Sequence, residues 1–262
     1  MHLSNSTDAR FALERSRVDL RFRFTRLASR EWIGPDYVRV RVQGDDLAGF
    51  GEGLGHDDHI RIFFPDGAPS SVEEMREAPS REFTPLRWGE DWLDLEFAVH
   101  GDEGVAGVWA AGAPMGSLLG VGGPRGTLRI DGAPDAWLLA GDETAIPQIR
   151  RYAAAIPDGA SARVLVEVAD AAHEVPIDAP VAVEYVHRDG ARPTSALISR
   201  LEQLTEADRP DGDVFAFIAA EQAVVRAGRA LTVDRWSLDP ERIIVKGYWK
   251  ADESGATYHA AH

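Results

Sequence analysis

The chain has 262 residues, 44% apolar and 27% charged, with a net charge of −15 and no cysteine. That composition suits one large or two ordinary soluble domains and argues against nucleic acid or an anionic membrane as partner. It leaves no disulfide, thiolate metal site or catalytic thiol, fits a reducing cytoplasm, and contains no apolar run of about 18 residues that would insert in a membrane.

Residues 1–17 read as a loose polar leader without the apolar stretch of a secretory signal. The charge is uneven: positions 10–30 carry seven arginines against Glu14 and Asp19, a local +5 that leaves −20 for the rest. Alternation with period two predicts half-buried strands at Val18–Thr25 and Tyr37–Gln43, the arginines of the first lying on a solvated outer face. Further short strands are expected at His59–Phe64, Arg81–Leu86, Trp92–His100, Ser117–Val121 and Thr127–Ile130, with a short helix over Val105–Ala111. Close spacing and Gly/Pro turns predict a small antiparallel β-barrel over 18–133.

After Gly132-Ala-Pro134 the texture changes. Strands at 136–140, Arg163–Val168, Val181–His187, Val214–Ala219 and Arg242–Trp249 alternate with helices at 144–156, Thr194–Glu206 and Glu221–Trp236. This predicts an α/β domain over 134–262, a parallel sheet with helices packed on it. Its first strand runs through Gly141 into Asp142-Glu-Thr-Ala-Ile-Pro147, where Asp142 or Thr144 caps the helix and the proline sits in the first turn. A helix start attracts phosphate, but Asp142 and Glu143 repel it, so this turn suits ligand hydroxyl or amide groups.

Several stretches carry chemistry or plain structure equally well. Arg81 and Phe83 share one strand face, either clamping a phosphate and covering a flat ring or standing as surface Arg over core Phe. His100 ends a strand, and the helix start near Gly104 offers unpaired N–H groups to a pyrophosphate. Gly120-Val-Gly-Gly-Pro-Arg-Gly126 is no dinucleotide fingerprint, because Arg125 takes the last glycine position and a strand follows. It is either a barrel turn or a close backbone approach to a ligand. His56-Asp-Asp-His59 has ligand-type residues but no second cluster, and no metal site is expected. Hydrolase, zinc-protease and P-loop motifs are absent from the sequence. Lys246-Gly-Tyr-Trp-Lys250 closes the last strand with two aromatics and two of the few cations of an acidic half, a place for a planar or anionic ligand.

Taken together, these stretches resemble the siderophore-interacting protein family, flavin-dependent ferric-siderophore reductases of the ferredoxin–NADP reductase superfamily. The resemblance runs from about residue 18 to 250. It rests on Asp-Leu-Ala-Gly-Phe at 46–50, His59-Ile-Arg-Ile-Phe-Phe-Pro65, Arg81-x-Phe-Thr84, Phe97-x-Val-His100-Gly, Trp109-Ala, the 120–126 glycine turn, Leu138-Leu-Ala-Gly-Asp-Glu-Thr-Ala145 with Pro147, Val166-Glu-Val168 and Gly247-Tyr-Trp-Lys250.

It implies FAD held between the domains. Arg81 would pair with its phosphate, Phe83 pack on the flavin and Thr84 bond near the reactive edge, with Tyr248 and Trp249 by the ring's other face. Val99, His100, Gly104, Gly107 and Trp109 would hold the pyrophosphate and adenine end, and Gly123 would approach the cofactor closely. Asp142, Glu143, Thr144 and Ala145 would border the site of NADPH or NADH, with Arg188 as the cation for a 2′-phosphate. Lys246 and Lys250 would attract an anionic ferric siderophore. The implied activity is NAD(P)H-dependent reduction of Fe(III)-siderophore by a cytoplasmic monomer, with no nucleic-acid partner. Alternatives are a flavin reductase with another acceptor or with ferredoxin as donor, and a non-enzymatic ferric-chelate-binding module that has lost FAD. Three departures stand out: Phe83 where the family usually has Tyr, Gly107 where it often has Ser, and Ala220-Glu221 in place of Gly-Glu.

Overall fold

A computed structural model describes residues 9–99, 104–251 and 259–260. In chain order the strands are β1 (Phe11–Arg17), β2 (Phe22–Gly34), β3 (Tyr37–Gln43), β4 (Ile60–Phe63), β5 (Ser80–Phe83), β6 (Arg87–Trp88), β7 (Trp92–Ala98), β8 (Leu118–Gly122) and β9 (Gly126–Gly132). They continue with β10 (Ala136–Gly141), β11 (Ser161–Val168), β12 (Val183–His187), β13 (Val214–Glu221), β14 (Ile243–Lys250) and β15 (His259–Ala260). The helices are α1 (Val72–Arg76), α2 (Val105–Gly112), α3 (Ile146–Ala153), α4 (Ser195–Gln203) and α5 (Val224–Arg229), the last prolonged by a π-helical turn over Ala230–Arg235.

The N-terminal half is an antiparallel curled sheet of seven strands in the order β5-β4-β8-β2-β3-β7-β6. Its inner face follows from the alternation: Val38, Val40 and Val42 are fully buried. Between them Arg39 and Arg41 stand opposite Glu96 and Asp94 of β7. Arg39 Nη2 donates to Glu96 Oε1 at 2.6 Å, and Arg41 grips Asp94 at 2.7 and 2.9 Å, a cross-strand pairing of opposite charge.

Two expectations are corrected here. Residues 11–17 are no leader: they form β1, which pairs antiparallel with β9 in a separate two-stranded ribbon. Phe11 anchors that ribbon, buried edge-on against Phe215 of β13 at 6.2 Å. The predicted 127–130 strand therefore leaves the main sheet. Arg23 is not solvated either; it is 4% exposed, donates to the Gly123 carbonyl at 2.9 Å and lies 5.0 Å over the Phe50 ring.

The C-terminal half is a parallel sheet in the order β12-β11-β10-β13-β14, with β15 added antiparallel to β14. Both faces are covered, so β10 is buried throughout and its residues alternate between two cores. Trp137 and Leu139 pack with α3 side chains Ile149 and Tyr152, while Leu138 and Ala140 pack with Leu197 and Leu201 of α4 and Val224 of α5. β10 has β11 on one side and β13 on the other, a point where the strand order reverses and where open α/β sheets bind ligands beyond their strand ends. No helix among the described residues is long and apolar enough to cross a membrane.

Candidate active site

Three strand ends meet between the two sheets. The first is β5, the edge of the N-terminal sheet. Arg81 and Phe83 stand opposite Ile62 and Ile60, so they share the inner face with those buried isoleucines. The Phe83 ring lies 4.4 Å from Phe97 and 6.3 Å from Phe64, and Trp109 of α2 packs 5.7 Å from Phe64. Phe83 is thus anchored in the core yet only partly buried, and Arg81 Nη1 donates to the Ser80 carbonyl at 2.8 Å. The chain leaves the strand at Thr84, 6% exposed.

Beside β5, α2 begins at Gly104, whose φ of 82° suits glycine and which caps the helix without a side chain. A methyl group on Gly104 would meet nothing within 4 Å, and one on Gly107 would lie 3.7 Å from Val99 Cα. The first N–H groups of α2 have no partners within the helix. Val99 donates its N–H to the Asp36 carbonyl at 2.8 Å, and Gly123, at φ 96°, turns the chain next to His59. His100 lies outside the described residues.

The second strand end is that of β10. Gly141 is required there, since a Cβ would fall 2.4 Å from Ala145 Cβ and 2.6 Å from the Ala219 carbonyl. Asp142 follows, 1% exposed. Its Oδ1 accepts from the Thr144 N–H at 3.0 Å and the Thr144 hydroxyl at 2.5 Å; its Oδ2 accepts from the Glu221 N–H at 3.1 Å and Trp249 Nε1 at 2.8 Å. Burial, with Glu143 alongside, pushes the Asp142 carboxyl up to about 6 against the pull of those bonds. The carboxylate expected to face ligand hydroxyls is turned inward and fully engaged.

Glu143 is partly buried and pairs with Arg188 Nη1 at 2.5 Å. The same nitrogen lies 3.8 Å from Glu167, which is buried and accepts the Thr194 and Leu197 N–H groups at 2.6 and 2.8 Å, holding the start of α4. Burial raises the Glu167 carboxyl to about 7. Arg188, read as a cation for a 2′-phosphate, is therefore held between two carboxylates.

The third strand end is that of β14. Its register with β13 slips between Ala220 and Glu221: Gly247 faces Ala220, Trp249 faces Glu221, and Tyr248 is the extra residue of a β-bulge. Gly247 has no room for a side chain, because a Cβ would lie 3.0 Å from Gln222 Cα and 2.1 Å from its Oε1. Trp249 is 9% exposed and its indole points to Asp142, so it is not a free surface for stacking. The buried Tyr248 hydroxyl neighbours Thr84 but has no hydrogen bond of normal geometry. Lys250 is exposed.

Lys246 is not free to draw an anion. Its Nζ lies 3.0 Å from Asp57 Oδ2 and 2.8 Å from His59 Nε2, and His59 meets Asp57 at 2.8 Å. Burial works against the Asp57 carboxylate, but His59 and Lys246 outweigh it and hold its pKa well below the usual range. The His56-Asp-Asp-His59 stretch thus stitches the two sheets together. Gln148 Nε2 donates to the His56 carbonyl at 2.6 Å and Arg151 pairs with Asp58 at 2.5 Å. The sequence marked these four residues as unusual, but no local pattern shows partners ninety or more positions away.

Residues 26–128 match the family model described as the siderophore-interacting FAD-binding domain, and residues 134–252 match that of the siderophore-interacting protein. The chain is 32% identical to the NADPH-dependent ferric-chelate reductase of Escherichia coli K12, over 91% of this chain and 96% of that one. It is 28% identical to the ferric vibriobactin reductase ViuB of Vibrio cholerae, over 88% and 90%. The crystal structure of a siderophore utilization protein from T. fusca superimposes with a TM-score of 0.80 at 32% identity, covering 95% of this chain and all of that one. With matches spanning both sheets at this identity, the chain belongs to the siderophore-interacting protein family.

Proposed function

We propose that the chain reduces Fe(III) held in a siderophore or similar chelate, with FAD between the two sheets and NADH or NADPH as electron source. The observation that carries this reading is the meeting of Phe83, Thr84 and the buried Tyr248 hydroxyl at the junction of the two sheets. The two hydroxyls lie together beside an aromatic face, polar groups placed to meet the polar edge of a flat ring. The site fits a flavin in two further respects: Phe83 is a rigid aromatic surface, and the start of α2 offers N–H groups to a pyrophosphate. FAD, when bound, supplies conversion of a two-electron hydride donor into single-electron transfers.

In this reading Arg81 binds the FAD phosphate, Phe83 covers the ring, and Thr84 and Tyr248 orient its polar edge. Val99, Gly104, Gly107 and Trp109 border the pyrophosphate and adenine, joined by Gly123 at its turn. Glu143 and Thr144 border the nicotinamide donor, while Asp142 and Trp249 shape its surroundings from within; Ala145, expected at this border, is buried in the core and only supports the turn. Arg188 meets a 2′-phosphate only by exchanging Glu143 for it. Lys250 is the exposed cation for an anionic chelate, whereas the charge of Lys246 is offset by Asp57. A cysteine-free chain suits the reducing cytoplasm.

The test is anaerobic spectroscopy of the purified protein. The expected result is a flavin spectrum that bleaches with NADH or NADPH and recovers on addition of a ferric catecholate. A colourless protein that takes up no added FAD, or a reduced flavin that no ferric chelate reoxidises, overturns the proposal.

A further inference from the structure

We infer that Asp142 is a positioning residue for this reaction: by holding the Trp249 indole it fixes the β-bulge that turns the Tyr248 hydroxyl toward Thr84. The inference rests on the reading of Tyr248 given above. Its basis is the division of labour within one carboxylate. Oδ1 alone accepts both Thr144 bonds, which complete the cap of the turn after β10. Oδ2 takes no part in that cap. It reaches across the sheet to the Glu221 N–H on β13 and the Trp249 indole on β14, the two residues that face each other immediately beyond the bulge.

The rest of the bulge is built around that bridge. The Gln222 N–H donates to the Trp249 carbonyl at 2.8 Å, and the Glu221 carboxylate accepts from Ala223 N at 2.7 Å and Ala251 N at 3.3 Å. Gly247 lets Gln222 pass close to β14. A bulge re-aims the side chain of its extra residue, and here that residue is Tyr248. With Trp249 pinned inward, Tyr248 projects to the junction, its ring 5.8 Å from His59 and its hydroxyl by Thr84. The four atoms around Asp142 are all donors, so only a carboxylate satisfies them together; an asparagine would set an amide N–H against one of them.

The experiment uses the full chain with Trp249→Phe, Tyr248→Phe and the double variant. Trp249→Phe keeps an aromatic ring and removes the donor to Asp142 together with part of the buried indole. The readouts are FAD affinity by fluorescence titration and the midpoint potential of the bound flavin. Loss of one charge-assisted bond is expected to weaken FAD binding about tenfold. Each single variant should shift the potential in the same direction, and the double variant should fall no further than the worse single one. Asp142→Asn should repeat the pattern, and Trp249→Phe carries the test if that variant does not fold. Additive effects, or a Trp249→Phe protein that loses thermal stability while keeping wild-type FAD affinity and potential, overturn the inference. A wild-type protein that binds no FAD overturns the functional reading itself, an outcome distinct from additivity in a flavin-loaded series.

Discussion

Replacing Arg151 by methionine should cost the fold about 3–5 kcal/mol, the penalty for leaving one member of a buried ion pair without its partner. Arg151 and Asp58 are 8% and 0% exposed at their side chains and meet at 2.5 Å, the arginine on α3 and the aspartate on the segment before β4. The same Nη2 donates to the Gly55 carbonyl at 2.7 Å, and the guanidinium lies 5.3 Å over the Trp88 ring. Once Arg151 is gone, Asp58 keeps only the Gly55 N–H, at 3.1 and 3.3 Å from its two oxygens. Methionine keeps most of the apolar stem, so the loss reports on the charge and its bonds. Adding Asp58→Asn removes the stranded charge, and the double variant should be more stable than the sum of the two losses by about 1 kcal/mol or more. Urea unfolding followed by tryptophan fluorescence and by far-ultraviolet circular dichroism measures this. The pair joins the two halves, so the two transitions should also separate in Arg151→Met, a departure from two-state behaviour. A loss below about 1 kcal/mol, or strict additivity, refutes the reasoning that a buried charge pair ties the two sheets together.

Asp142 and Glu167 are raised from 3.8 and 4.5 to about 6 and about 7, so between those values the native chain holds protons that the unfolded chain has released. Their contribution to stability therefore falls as pH rises from about 4 to about 7. Glu167→Gln should flatten the melting temperature against pH over that range, and an unchanged slope counts against it. Glu143→Gln releases Arg188 for a 2′-phosphate and should raise the kcat/KM ratio of NADPH to NADH about tenfold; an unchanged ratio removes Arg188 from the nucleotide site. Gly107→Ser adds a hydroxyl where a Cβ finds only ordinary contact with Val99. It should leave stability within about 0.5 kcal/mol and tighten FAD binding in a titration, which a weaker complex would contradict. Lys250→Glu should raise KM for an anionic ferric chelate in steady-state assays while hydride transfer from NADH to the flavin proceeds at the wild-type rate.

Much of the architecture was readable from local pattern. Period-two alternation marked β3, and strands alternating with helices pointed to a parallel sheet, whose neighbours need crossover connections that are usually helical. The turn at Gly141-Asp142 and the aromatic strand end at Gly247-Tyr-Trp249 were visible as sequence, while the lack of room for a Cβ at both glycines came from the packed sheets.

What only the tertiary structure decided is which way each of these groups faces and what it meets. Asp142 looked like a ligand-facing acid because a strand–turn–helix sequence cannot show that Trp249, 107 positions on, points its indole back at it. Lys246 looked like a free cation until the fold set Asp57, 189 positions earlier, against it, and Arg188 looked free until the turn after β10 brought up Glu143. Phe11–Arg17 looked unstructured because a strand is stable only with its partner, and the partner is β9. Periodicity is a property of neighbours along the chain, whereas charge pairing, bulge register and burial of a polar atom depend on residues that only the packed sheets bring together.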